Sequence, residues 1–279
     1  RYKKLKQRVQ KLFMQKVYPL SIISSNQYNG IITVSPAFRK NIVLEVSDFA
    51  GNTTKIDIPV EYSNETVVVD PPKVKSKYFI KSSREAIFSK ENVTVSFPEN
   101  TFYQDFEMNF DVKDSVLQLH QDVVPAFKNF AISFVDSTST IDDKKFIAYH
   151  NGKKWTYCTT KYANNTFTTY QKTLGQYQLM KDVTSPKISI TKDINGKWIS
   201  DQKELKFIVS DDLSGIKTYN GYINGKWILL EYESKTKTLK HAFSDGVVDE
   251  GKNDLKVIVT DNVGNSTIFE TQFFRSQKP

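Results

Sequence analysis

Val257-Ile258-Val259-Thr260-Asp261-Asn262-Val263-Gly264-Asn265 is nearly repeated towards the other end of the chain by Val43-Leu44-Glu45-Val46-Ser47-Asp48-Phe49-Ala50-Gly51-Asn52. In both copies an alternating strand (Ile42, Leu44, Val46; Leu255, Val257, Val259) runs into Asp-x-x-Gly-Asn. A second alternating strand follows (Thr54, Ile56, Ile58, Val60; Thr267, Phe269, Thr271, Phe273). The Asp carboxylate can accept the turn amides, and the Gly supplies the left-handed residue of a type I turn with a G1 bulge. Two β-hairpins of one kind are therefore predicted, with Asp48, Gly51 and Asn52 equivalent to Asp261, Gly264 and Asn265. Such a hairpin commonly closes a β-sandwich.

The rest of the chain is built of short alternating segments rich in Thr, Val, Ile, Tyr and Phe, which favours strands. Its 279 residues give room for two or three cores. Asp70-Pro71-Pro72 and Val183-Thr184-Ser185-Pro186 read as breaks between them, because proline stiffens the chain and cannot donate to a ladder. Beyond the second break, alternating segments at 188–191, 205–210, 216–223, 227–232 and 239–243 precede the closing hairpin. That is the complement of an immunoglobulin or fibronectin type III-like sandwich. The expected fold is all-β, with three tandem β-sandwiches over 1–62, 63–182 and 183–279, the first and last immunoglobulin or fibronectin type III-like. Residues 3–17 are the exception. Leu5, Val9, Leu12 and Phe13 recur at helical spacing opposite cationic residues, predicting one short amphipathic helix. Only 41 residues precede Ile42. The first domain thus reads as the C-terminal part of a sandwich whose remaining strands come from an upstream segment.

The net charge of +8 is local. Arg1, Lys3, Lys4, Lys6, Arg8, Lys11 and Lys16 supply seven positive charges with no acidic residue among them, and the other 263 residues carry a net +1. A nucleic-acid groove would spread cations along the chain between aromatics, so this distribution argues against one. Lys3, Lys4, Lys6, Arg8 and Lys11 read instead as a solvated helix face, or as a docking face for an acidic partner or anionic surface. No apolar run is long enough to span a membrane, and the first residues lack the layout of a signal peptide.

Little of the sequence points to chemistry. Cys158 is the only cysteine, which excludes an internal disulfide or a cysteine-based metal site and reads as a small buried hydrophobe beside Trp155 and Tyr157. His120, His150 and His241 are far apart and form no H-x-H or H-E-x-x-H pattern, so no zinc site is expected in this chain. There is no nucleophile elbow and no phosphate loop, and no catalytic residue is assigned. Asp211, Asp212 and Asp261 could share a calcium ion at one sandwich edge, although turn capping also accounts for them. All three tryptophans follow Asn-Gly: Asn151-Gly152 before Trp155, Asn195-Gly196 before Trp198, Asn224-Gly225 before Trp227. This predicts type I′ hairpins covered by a ring. An aromatic row stacking on sugars is the other reading, but the three turns fall in different hairpins of two domains, which argues against a continuous platform.

Several of these segments carry a resemblance. They are Arg1-Tyr2-Lys3-Lys4-Leu5 through Val9-Gln10-Lys11-Leu12-Phe13, the Asp48 turn, Val95-Ser96-Phe97-Pro98-Glu99-Asn100-Thr101-Phe102, Tyr149 to Trp155, Leu174-Gly175-Gln176-Tyr177-Gln178-Leu179, Ser210-Asp211-Asp212-Leu213-Ser214-Gly215-Ile216 and the closing hairpin. Together they resemble the non-catalytic C-terminal region of large lysostaphin-like zinc endopeptidases of Gram-negative Bacteroidota. The middle segments are similar to ZU-type β-sandwich modules. The resemblance implies an accessory or interaction region of a peptidoglycan metallo-endopeptidase. Its zinc would be held by H-x-x-x-D and H-x-H in an upstream domain, to which His241 does not correspond, so this chain would carry no cofactor. It further implies an extracytoplasmic place, periplasmic or at the outer membrane or cell surface, with the upstream domain and other envelope proteins as partners. The alternative is a structural or docking subunit of an envelope assembly without enzymatic activity. In such an envelope Asp114-Ser115-Val116 and Asp136-Ser137-Thr138 match a short O-glycosylation acceptor pattern, which would place glycans on Ser115 and Ser137.

Overall fold

The computed structural model describes residues 24, 27, 28, 30, 32–65, 77–138 and 142–276. The expected basic helix, with Lys3, Lys4, Lys6, Arg8 and Lys11, and the Asp70-Pro71-Pro72 break lie outside them. The chain divides into two units, Arg1–Lys75 and Ser76–Pro279.

In the first unit, β1 (Arg39–Ser47) and β2 (Thr53–Glu61) form an antiparallel hairpin with Ile42 opposite Ile58 and Leu44 opposite Ile56. Its turn is built by one side chain. Asp48 Oδ1 accepts the amides of Ala50 and Asn52 at 2.9 Å each, and Oδ2 accepts Asn52 Nδ2 at 2.8 Å. Gly51 closes it at φ 85°. These bonds to the ionised form hold the Asp48 carboxyl below its ordinary range, the Asn52 side chain most strongly. Val43, Val46, Ile56 and Ile58 are exposed.

The second unit holds two sandwiches with separate cores. The middle one comprises β3 (Phe79–Ile80), β4 (Ala86–Lys90), β5 (Val93–Phe97), β6 (Phe106–Glu107), β7 (Phe110–Lys113), β8 (Val116–Leu119), β9 (Phe130–Val135), β10 (Lys145–His150), β11 (Trp155–Tyr157), β12 (Thr160–Ala163), β13 (Thr166–Gln171) and β14 (Gly175–Lys181). One sheet runs β11-β10-β14-β8-β7 and the other β12-β13-β9-β5-β4, with β3 and β6 as a short ribbon. Strict alternation builds its core: Val93, Val95 and Phe97 from β5 and Phe130, Ile132 and Phe134 from β9 meet Leu117, Leu119, Ile147 and Tyr177 from the facing sheet. Cys158 is buried in this core, and desolvation pushes its thiol up to about 11.

The last sandwich comprises β15 (Lys187–Ile190), β16 (Lys197–Trp198), β17 (Glu204–Ser210), β18 (Ile216–Ile223), β19 (Lys226–Ile228), β20 (Glu231–Glu233), β21 (Thr238–Ala242), β22 (Gly251–Asp261) and β23 (Ser266–Arg275). Its sheets run β15-β17-β21-β20 and β16-β23-β22-β18-β19. Leu255, Val257 and Val259 face Leu205, Phe207 and Val209 across the core. All pairings are antiparallel except β16 with β23, which is parallel, so the strand order near the start of this sandwich passes from one sheet to the other.

The fold is all-β among the described residues, a single 3₁₀ turn at Phe243–Asp245 being the departure. The two Asp-x-x-Gly-Asn turns are the same object. Asp261 Oδ1 accepts the amides of Val263 at 3.0 Å and Asn265 at 2.8 Å, Oδ2 accepts Asn265 Nδ2 at 2.8 Å, and Gly264 has φ 82°. Even the flanking hydroxyl pair recurs, Ser47 with Thr53 and Thr260 with Ser266, each at 2.8 Å. The Asn-Gly turns are less uniform than their sequences predict. Only Asn224-Gly225 has both residues at positive φ, 53° and 76°, as a type I′ turn needs. At Asn151-Gly152 the side chain intervenes: Asn151 Oδ1 accepts the amides of Lys153 and Lys154, holding the turn in another form. Two type I′ connections have no glycine: Asp114-Ser115 at 52° and 62°, and Asn164-Asn165 at 48° and 56°.

Candidate functional site

Three strand ends meet where the two sandwiches of the second unit join. Asp182 follows β14, Asp211 follows β17 and Asp261 ends β22. One carboxylate oxygen from each lies within 4.8 Å of the others. Asp182 is 2% exposed and Asp261 is fully buried. Each is fixed by amides rather than by cations. Asp182 Oδ1 accepts Thr184 N and its Oδ2 accepts Ser214 N, both at 3.0 Å. Asp211 Oδ2 accepts Gly215 N at 2.6 Å and Leu213 N at 3.1 Å. No ion pair involves the three carboxylates among the described residues. Burial raises the Asp211 carboxyl above its ordinary range, opposed by those two amides and reinforced by the charges of Asp182 and Asp261.

The same residues fasten the linker. Asn265 Nδ2 donates to Asp182 O at 3.1 Å as well as to Asp261, and Thr267 Oγ1 donates to Pro186 O at 2.5 Å. Lys144, from the middle sandwich, donates through Nζ to Val263 O at 2.9 Å. Asn262 Nδ2 bonds Ser214 O and Gly215 O, tying the Asp211 loop to the Asp261 turn. Of the residues singled out for calcium, Asp211 and Asp261 come together, while Asp212 is exposed and Asp182 stands in the third position.

A second feature lies on the outer face of the sheet β16-β23-β22-β18-β19. Asn195, Tyr222, Asp254, Lys256, Ile258, Glu270 and Gln272 line an open groove there. Strand alternation puts Trp227, opposite Tyr222, and Trp198, opposite Phe274, on this same face at its two edges. Trp198 lies at a tilt of 33° against Phe274, with ring centroids 5.4 Å apart. The tryptophans are 62% and 57% exposed, so their rings are open to a ligand rather than packed as hairpin covers. Four strand steps of about 4.8 Å put the edge strands about 19 Å apart. Lys256 and Glu270 pair at 2.9 Å on the groove floor.

The remaining singled-out residues are dispersed. His120 Nδ1 accepts Asn109 N at 3.1 Å, and burial depresses its imidazole below the ordinary 6.5. His150 meets Trp155 edge-on at 5.1 Å. His241 is buried in the last sandwich, with Nδ1 at 3.1 Å from Leu229 O. Ser115 and Ser137 are exposed, and Ser115 occupies the second position of a type I′ turn, a structural reason for that tripeptide's loop character.

No curated protein matches the chain. Among solved structures it is similar to the fibronectin(III)-like modules of Clostridium thermocellum CbhA, at 14% identity and a TM-score of 0.28, over 53% of this chain and 86% of that one. Residues 77–182 match the family model of the Zu5-like domain, from just before β3 to Asp182. The middle sandwich is thus similar to a Zu5-like domain.

Proposed function

We propose that this chain is a non-catalytic accessory region of a cell-envelope peptidoglycan endopeptidase of the lysostaphin-like kind, and that its last sandwich holds glycan strands for a zinc-bearing domain upstream. The observation that carries this reading is the groove whose edges present Trp198 and Trp227 on one face. Sugar rings offer apolar C–H faces that pack on aromatic rings, while their hydroxyls need acceptors and donors of the kind Asn195, Asp254, Glu270 and Gln272 supply. The clamped linker at Asp182 favours the same role, since a stiff joint keeps a binding face at a set distance from whatever precedes it.

The test uses intact chain and insoluble peptidoglycan sacculi. Retention on sacculi is expected, together with a change in tryptophan fluorescence on adding soluble glycan fragments. The Trp198→Ala/Trp227→Ala variant should bind about tenfold more weakly or worse, since exposed tryptophans commonly anchor such faces. In the parent enzyme that variant should slow sacculus hydrolysis and leave both zinc content and cleavage of a soluble cross-link peptide unchanged. Absence of retention with unaltered fluorescence overturns the glycan reading and returns the chain to the alternative of a docking subunit in an envelope assembly.

A further inference from the structure

We propose that Asp182, Asp211 and Asp261, together with the hydroxyl of Ser214, bind one calcium ion that locks the linker between the two sandwiches of the second unit. The carboxylate oxygens already lie within 4.8 Å of one another. Acidic clusters on their own are common at turn-rich sandwich poles, and amide capping alone would account for this one. Two further atoms go beyond capping. Asp211 Oδ1 and Ser214 Oγ are sealed from solvent and have no hydrogen-bond partner among the described residues. Ser214 is 2% exposed, and its own amide donates to Asp182 Oδ2 at 3.0 Å, so its side chain leaves the backbone at the edge of the cluster. A buried hydroxyl and a buried carboxylate oxygen left unmatched each carry a desolvation penalty that a bound cation removes.

The donor set selects the metal class. Every available atom is oxygen, which disfavours zinc, whose protein sites draw mainly on histidine nitrogen and cysteine sulfur with carboxylates beside them. Magnesium is usually held by one or two carboxylates with several waters retained, whereas three converging carboxylates, beside a buried unpartnered hydroxyl on the residue whose amide binds Asp182, suit the larger, more permissive calcium ion. The amides do not exhaust the ligands. Both bonds to Asp211 fall on Oδ2, leaving Oδ1 whole, and a carboxylate offers about four lone-pair sites. Binding would also cancel the mutual repulsion of three carboxylates that no lysine or arginine pairs with among the described residues. The ligands come from a linker residue and from two loops of the last sandwich, so occupancy is coupled to linker order. This inference is independent of glycan binding, and the two fail separately.

The experiment is calcium titration of the intact chain after EDTA treatment, by calorimetry and thermal unfolding, with partial proteolysis at the exposed residues Val183, Thr184 and Ser185. The expected result is one site with a Kd on the order of 10⁻⁵ to 10⁻³ M, a higher unfolding temperature, slower cleavage at 183–185, and a response to magnesium at least about tenfold weaker. Asp211→Asn keeps an acceptor for Gly215 and Leu213 while removing the free oxygen, and should weaken binding at least about tenfold yet leave the fold intact in EDTA. Ser214→Ala serves as a second, milder variant. No heat and no thermal shift at 10 mM calcium, an equal response to magnesium, or an unchanged calcium response in Asp211→Asn would each overturn the proposal and leave the cluster an amide-capped joint.

Discussion

Asp261→Ala is expected to destabilise the last sandwich by about 3 kcal/mol in EDTA, and Asp48→Ala to perturb its own hairpin far less, although the two turns make the same bonds. At Asp261 the acceptor lies in a fully buried position. Its removal strands the amides of Val263 and Asn265 and the Asn265 side chain, which in turn steadies Asp182 O. Buried donors to a charged acceptor contribute roughly 1.5–3 kcal/mol each, and leaving them unmatched incurs their full desolvation. Relief of repulsion from Asp182 and Asp211 offsets part of the loss. At Asp48 the turn is exposed, and water can take over both amides. Urea denaturation of a Trp155→Phe background, where Trp198 and Trp227 report on the last sandwich, measures the first. Amide exchange at Ala50 and Asn52 measures the second. A loss below about 1 kcal/mol for Asp261→Ala would show that burial adds nothing to this turn.

Gly175→Ala is expected to cost the middle sandwich about 2–4 kcal/mol. Gly175 opens β14 at φ 139°, a conformation that residues with a Cβ rarely adopt, and strain of this kind is worth roughly 1–3 kcal/mol. An added Cβ would also lie 3.0 Å from Tyr149 Cε2. Tyr149 cannot retreat freely, because its ring packs 5.2 Å from that of Tyr177, which is fully buried and donates its hydroxyl to Thr173 O. Trp155 is the one tryptophan in this sandwich, so its fluorescence in a Trp198→Phe/Trp227→Phe background follows the transition. An unchanged midpoint would mean that the loop before β14 relaxes to accept the side chain.

The Asp-x-x-Gly-Asn turns were legible because the bonds to each turn's own carboxylate join residues at most four apart, and strand alternation in β5, β9, β17 and β22 was legible because one face of each is buried. The acidic joint was legible only by halves. Asp211 and Asp261 advertise themselves in turn motifs, but Asp182 sits in a linker whose partners are Ser214 and Asn265, far along the chain. The shared face of Trp198 and Trp227 was hidden for a related reason: β16 joins its sheet through Phe273 and Phe274 at the very end of the sandwich, a pairing that no local pattern encodes. Turn types failed where a side chain overrode the dipeptide, as Asn151 does, or where polar residues without glycine took left-handed conformations.

The parallel pairing of β16 with β23 bears on how the last sandwich would carry tension. The linker enters beside the start of β23, where Thr267 holds Pro186, and β23 ends at the opposite pole, where Arg275 donates to Ile199 O and Gln202 O. Pulling the two ends apart therefore draws β16 and β23 in opposite directions along their length. Their hydrogen bonds are loaded in shear and must yield together, whereas a strand peeled from an edge releases its bonds one at a time. The guanidinium of Arg275, 4.0 Å above the Phe243 ring, adds a further tie at the far pole. Force applied between the two ends of this sandwich would therefore meet the pair of strands in shear.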